Sequence, residues 1–194
     1  MEGATENHGF RRVVCGVDGC PQSIGAVRQA LAIGDVGAHV WGDAAWDSSL
    51  AFQAGIHRGE VLVALREQAR AALRHLEEDL PQVRPLLVQG GEVAAMLAAV
   101  SNLQADLVCV GASGMSRPAG ILFGSVATAM AHHAPCSVLV ARDAGPDFPK
   151  RILHANDGSP ESLLAAGHAA RLAVRYGATL VTLHVGEDGT GGGE

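Results

Sequence analysis

Aromatic side chains are scarce: two Trp, one Tyr and four Phe make up 4% of 194 residues. The core must then be built from Ala, Val and Leu, which suits buried parallel strands and closely packed helices better than an aromatic-rich sandwich. An excess of basic charge is also missing. Fourteen Lys and Arg face twenty Asp and Glu, for a net charge of −6, which excludes nucleic-acid binding driven by phosphate neutralisation. The four cysteines, Cys15, Cys20, Cys109 and Cys136, form no C-x-x-C pair and come with no His-x3-5-His. A zinc site or disulfide scaffold is not indicated; small buried thiols in a reduced, cytoplasmic protein are. Met1 to Phe10 is polar and lacks the apolar stretch of a signal peptide. Residues 118–141 carry no Asp, Glu, Lys or Arg and are long enough to span a bilayer. Pro118, Gly120, Gly124, Ser125, His132, His133 and Pro135 interrupt them, so loop, helix and buried strand are expected instead of a span. Finally, there is no Gly-x4-Gly-Lys-Ser/Thr loop, no Gly-x-Gly-x2-Gly between strand and helix and no Gly-x-Ser-x-Gly elbow.

What is present is a strongly apolar chain, 48% hydrophobic, with 25 glycines; intrinsic disorder is excluded. The run Arg11 to Val17 reads as a strand buried on both faces, ending in the turn Asp18-Gly19-Cys20-Pro21. Ser23 is placed to cap a helix from Ile24 to Ile33, closing through Gly34 to Gly37. A strand follows over Ala38 to Ala45, with Gly42 and Asp43 unusual inside it, and then a loop over Trp46 to Gly59. Glu60 to Leu80 has a helical stripe of Val61, Leu62, Leu65, Ala69, Leu73 and Leu76, stopped by Pro81. Strand Pro85 to Gln89, helix Gly91 to Leu103, strand Leu107 to Val110, helix Gly124 or Ser125 to His133, and strand Ser137 to Ala141 complete the series. Alternating strands and helices predict a doubly wound, Rossmann-like α/β domain over residues 11–142. Its five parallel strands are expected in the order 3-2-1-4-5, with helices on both faces.

Residues 143–149 read as a linker. Arg12 to Ser23 then aligns with Arg151 to Ser162, sharing Asp-Gly-x-Pro-x-Ser after an apolar strand, and Gly37-Ala38 aligns with Gly177-Ala178. Residues 150–185 are expected to be β-α-β, a partial second copy. Residues 186–194, like residues 1–10, read as a flexible tail.

In an open doubly wound sheet, ligands bind at the carboxyl ends of the strands where the winding reverses, here strands 1 and 4. Asp18 follows the first. The second is followed by Gly111-Ala112-Ser113-Gly114, nine residues, and Gly124-Ser125. Glycine at a strand end lets backbone approach a ligand, and a helix opening at Gly124-Ser125 offers N–H groups and a dipole to an anion. A phosphate cradle can form there without lysine, with Asp18 placed to accept hydrogen bonds from a ribose.

The motif Gly111-x2-Gly114-x9-Gly124-Ser125, preceded by ADLVCV and followed by APCSVLVAR, resembles the universal stress protein family in its ATP-binding branch. The Val17-Asp18-Gly19-x-Pro21-x-Ser23 start and the second-copy segment GATLVTLHV support the resemblance, which covers residues 11–142 and, as a partial tandem copy, 150–185. It implies adenosine contacts at Gly16, Asp18, Ala45 and Val110. It implies a phosphate lining of Gly111, Ala112, Ser113, Gly114, Met115, Ser116 and Arg117, completed by Gly124, Ser125 and Val126. It also implies a cytoplasmic homodimer paired through the strand at 137–141, a regulatory role in stress response, and no catalytic residue. ATP or another adenine nucleotide would be the ligand, Mg being carried on its phosphates. The position before Gly114, often basic in the family, is Ser113, with Arg117 three residues after Gly114.

Other readings stand beside these. Asp18 serves equally as a turn residue, and Gly111 and Gly114 as turn glycines. His132 and His133 are adjacent on a helix and do not face one another, as a metal or base pair would need to. Ser113 and Ser125 have no His–Asp partners, and Trp41 and Trp46 suit packing better than base stacking. A slow ATP hydrolase and a nucleotide-independent interaction module are the alternative functions. Turnover, or indifference to ATP, would distinguish them.

Overall fold

The structure is a computed structural model that describes residues 9–18, 21–43, 67, 70–71, 73–88, 91–112, 123–142 and 148–184. In chain order they form β1 (Phe10–Gly16), α1 (Pro21–Ile33), β2 (Gly34–Asp43), β3 (Val83–Leu86), α2 (Glu92–Asn102), β4 (Leu107–Gly111), α3 (Ser125–His133), β5 (Ser137–Ala141), β6 (Arg151–Asn156), α4 (Pro160–Tyr176) and β7 (Thr179–His184). Residues 73–79 are also helical; Leu73 and Leu76 are buried and Arg74 and Glu77 exposed, as the apolar stripe requires.

Three boundaries differ from the sequence expectation. Helix α1 starts at Pro21, leaving Ser23 inside the helix and buried; proline's fixed φ and missing N–H suit a first helical position. Strand β2 starts at Gly34, where the end of the helix was expected to extend to Gly37. Strand β3 lies at Val83–Leu86 instead of 85–89, with Pro85 inside it. Among the described residues the strand pairs on one side only, with β2, and a proline is tolerated on such an edge.

The first five strands form one sheet in the order β3-β2-β1-β4-β5, with all four pairings parallel. In β1 and β4 alternate side chains serve opposite faces. Val14, Val108 and Val110 join Met96, Ala99 and Val100 of α2 and Ala127 and Met130 of α3 in one core. Val13, Cys15, Leu107 and Cys109 point the other way and are equally buried; there the Cys109 thiol donates to the Ala26 carbonyl of α1 at 3.2 Å. Burial on both faces is why these strands read as unbroken apolar runs. At the amino end of the sheet the Asp106 carboxylate accepts the backbone N–H groups of Arg11 and Arg12, both at 2.9 Å, and locks β1 against β4.

The described residues fall into two compact units, one within Phe10–Asp143 and one within Met1–Gly9 and Ala144–Glu194. In the second, β6 and β7 pair in parallel and α4 packs on both. Helix α4 is capped at each end. The Ser159 hydroxyl accepts the Ser162 N–H, Pro160 opens the helix, and Gly177 closes it at φ +62°. His154 of β6 is buried, with Nε2 2.8 Å from the Ser162 carbonyl. A carbonyl only accepts, so Nε2 carries the proton. Among the described residues no helix is long and apolar enough to cross a membrane.

Candidate functional site

The winding reverses between β1 and β4: β2 and β3 lie to one side of β1, while β4 and β5 lie to the other. The carboxyl ends of these two strands are therefore neighbours, and the register Cys15↔Cys109 places Gly16 to Asp18 beside Val110 to Ala112. Asp18 is exposed there, while Val17 and Val110 are buried. The side chain of Val110 belongs to the core against α2 and α3.

Two backbone hydrogen bonds bring the start of α3 to the same edge. Ala112 N–H donates to the Ala141 carbonyl at the end of β5, and Gly124 N–H donates to the Ala112 carbonyl, both at 2.8 Å. Gly124 is the N-cap of α3, extended at φ −67° and ψ 159°, and makes no side-chain cap. The first intrahelical bond of α3 is Thr128 N–H to Gly124 carbonyl. The N–H groups of Ser125, Val126 and Ala127 thus precede the helical ladder and have no acceptor within it. No acidic residue lies in the first turn. Helix α2 also starts at an uncapped glycine, but Glu92 sits in its first turn and opposes an anion there. The start of α3, with donors and a positive dipole end at the switch point, suits an anion. His132 and His133, in the last turn of α3 and exposed, lie at the helix's opposite end.

Of the expected site residues, Gly16, Asp18, Val110, Gly111, Ala112, Gly124, Ser125 and Val126 are brought to this edge. Ala45, Ser113, Gly114, Met115, Ser116 and Arg117 lie outside the described residues, as does the linker over 143–147. Gly111 has no positive φ; positive-φ glycines among the described residues are Gly158 and Gly177. A Cβ on Gly111 would meet the backbone of Gln22 and Ser23 at 3.4 Å, so a side chain here would press on the start of α1. One residue at this edge escaped the sequence reading. Arg142 follows Ala141, and its guanidinium carbon lies 5.6 Å from the ring centre of Phe123, the neighbour of Gly124.

Cys15 and Cys109 face one another across β1 and β4. The Cys109 hydrogen bond, together with complete burial, pushes the Cys15 thiol well above its usual range, which makes it a poor nucleophile. No group of three or more metal-binding side chains occurs among the described residues.

A family model described as the universal stress protein family matches residues 9–142 and 149–193. A universal stress protein of Mycolicibacterium smegmatis is 32% identical over 146 residues, covering 70% of this chain and 50% of that one; the chain thus spans about half the relative's length. Among solved structures, a universal stress protein from Archaeoglobus fulgidus has a TM-score of 0.72 at 18% identity, covering 96% of this chain and 69% of its own. A universal stress protein crystallised in complex with cAMP has a TM-score of 0.51 at 25% identity, covering 70% of this chain and 98% of its own.

Proposed function

The chain belongs to the universal stress protein family, and from that premise we propose that it binds an adenine nucleotide, ATP in the first instance, at the β1–β4 switch point. The observation that carries the reading is the start of α3: a glycine cap, three N–H groups ahead of the helical ladder and no acid in the first turn. A phosphate offers acceptors to N–H groups placed in this way. The N–H groups of Ser125 and Val126 hold phosphate oxygens, the Asp18 carboxylate accepts from ribose hydroxyls, and Gly16, Ala45 and Val110 flank the adenosine. Residues 111–117 line the phosphates, with any Mg carried on the nucleotide. The cAMP complex of a relative supports an adenine ligand. The role is regulatory, in the stress response of the cytoplasm.

The proposal extends to organisation. Residues 11–142 are one complete nucleotide-binding domain, 143–149 a linker and 150–185 a partial tandem copy, with tails on either side. The second copy keeps Asp157 but has no Gly-x2-Gly-x9-Gly-Ser loop, so the chain holds one site. Two copies of the chain pair through β5.

Calorimetric titration with ATP, AMP and cAMP tests the site. Wild-type protein should bind with one nucleotide per chain. Ser125 is exposed at the first position of α3, so Ser125→Asp favours the helix dipole by about 0.3–1 kcal/mol while setting a carboxylate against the phosphates. The variant should melt no lower than wild type and lose ATP binding at least tenfold. Unimpaired binding in that variant, or no binding by wild type at millimolar ATP, defeats the proposal.

A further inference from the structure

The start of a helix carries roughly half a positive charge, too little to balance a triphosphate on an acidic chain of net charge −6. A cation near α3 would change which ligands this edge prefers. Arg142 occupies that place. It directly follows Ala141, the register partner of Gly111, and so stands at the carboxyl edge with Asp18 and Ala112.

Three contacts determine its position. Ala112 N–H donates to Ala141 and fixes the backbone immediately before it. Gln29 of α1, only 8% exposed, donates from its side-chain amide to the Arg142 carbonyl; a buried amide requires such a partner. The guanidinium lies over the ring of Phe123, one residue before the α3 cap. A guanidinium is a planar fork of N–H donors that matches paired phosphate oxygens and tolerates an aromatic ring against its face. The side chain itself is exposed, within reach of a ligand from solution.

We propose that Arg142 binds the distal phosphates of the nucleotide and makes affinity at this site rise with the number of phosphates. The inference rests on the nucleotide-binding reading above and adds a specificity-determining residue to it. Adenosine would be held by the β1–β4 edge alone, AMP by that edge and α3, and ATP by these and Arg142.

The test is calorimetric titration of wild type, Arg142→Ala, Arg142→Gln and Arg142→Lys with adenosine, AMP and ATP, at low and high salt. Arg142→Ala and Arg142→Gln should weaken ATP binding about ten- to a hundredfold, as expected for one lost charge-assisted contact. Adenosine affinity should stay within about twofold. Arg142→Lys, which keeps the charge but loses the planar fork, should recover part of the loss. The difference between wild type and Arg142→Ala should shrink at high salt. Equal losses for all three ligands would assign Arg142 a purely structural role and overturn the inference, as would unchanged ATP affinity. Wild type that binds ATP while these variants bind it equally well defeats this inference alone. Wild type that binds no adenine nucleotide defeats the proposed function and this inference with it. Should Arg142→Ala fail to fold, Arg142→Gln and Arg142→Lys, matched in length and differing in charge, decide the matter between them.

Discussion

A Cβ built on Gly16 would lie 2.5 Å from the terminal methyl of Met96 and 3.3 Å from a methyl of Val110. Met96 is 2% exposed and sits in the core between α2 and the sheet. Its side-chain end can shift, but only into neighbours that are themselves packed. Gly16→Ala should therefore destabilise the ligand-free protein by about 1 kcal/mol, the low end of an overpacking cost. In a Met96→Ala background, where the obstruction is gone, the same change should cost nothing. Urea denaturation of the four proteins measures this. An equal cost in both backgrounds would remove Met96 as the reason for glycine at 16. The family resemblance marks Gly16 as a nucleotide-contacting position, and the structure adds a packing demand that holds without ligand. That demand was not legible in the sequence, because Met96 reaches Gly16 only when α2 crosses the sheet from far along the chain. Asp18 and the Gly124-Ser125 pair were legible because their signal is local: a turn after an apolar run, and small residues opening a helix. Arg142 was not, since α3 and β5 separate it from Phe123 in sequence and nothing in the local pattern relates the two.

Elements built from short-range signals came out where the sequence put them. Helix α2 runs Glu92–Asn102 and β5 Ser137–Ala141; both are bounded by a glycine or a proline next to an apolar run. Strand β3 lies two residues ahead of the expected start at Pro85 because pairing with β2, from Val40↔Val83 onward, fixes where it begins. The turn between β6 and α4 is a case where side chains alone define an element. The Asn156 amide oxygen accepts the Gly158 N–H and the Asp157 carboxylate accepts the Ser159 N–H, each at 2.9 Å. The Ser159 hydroxyl, the Ser159 N–H and the Ser162 hydroxyl together lower the Asp157 pKa from 3.8 to about 2. A carboxyl whose folded pKa is depressed stabilises the fold above its unfolded pKa and ceases to do so as pH falls through the folded one. The turn should accordingly hold at pH 4 and weaken between about 3.8 and 2. A carbon-detected NMR titration should find the Asp157 midpoint near 2, and Ser159→Ala should move it toward 3.8. A midpoint that ignores the loss of the hydroxyl would assign the shift to another source.

At the scale of the molecule, the two edges of the five-stranded sheet are unlike. The β3 edge carries Arg84 and Pro85, charge and a missing donor, the usual protection against further pairing. The β5 edge is Ser137-Val-Leu-Val-Ala141 with neither device, and among the described residues no strand of the sheet lies beyond it. An unprotected apolar edge is a template for a second strand, and this supports pairing of two chains through β5. The strand geometry also provides a clean test. The Ala141 carbonyl accepts from Ala112, so the polar groups of Ala141, and by the period of two those of Leu139 and Ser137, face β4. The N–H groups of Val138 and Val140 then face outward. Val138→Pro removes one outward donor and leaves the β4 ladder whole; its ring is apolar, as the core around Val138 requires. In sedimentation velocity at tens of micromolar, wild type should run as a dimer and Val138→Pro as a monomer, with ATP still binding once per chain. The order of events at this edge is decided by the same experiment. If the variant remains dimeric, the pairing surface lies elsewhere. If it becomes monomeric and loses ATP as well, the β5 edge supports the phosphate site through Ala141 and Arg142, and dimer and nucleotide are one linked equilibrium.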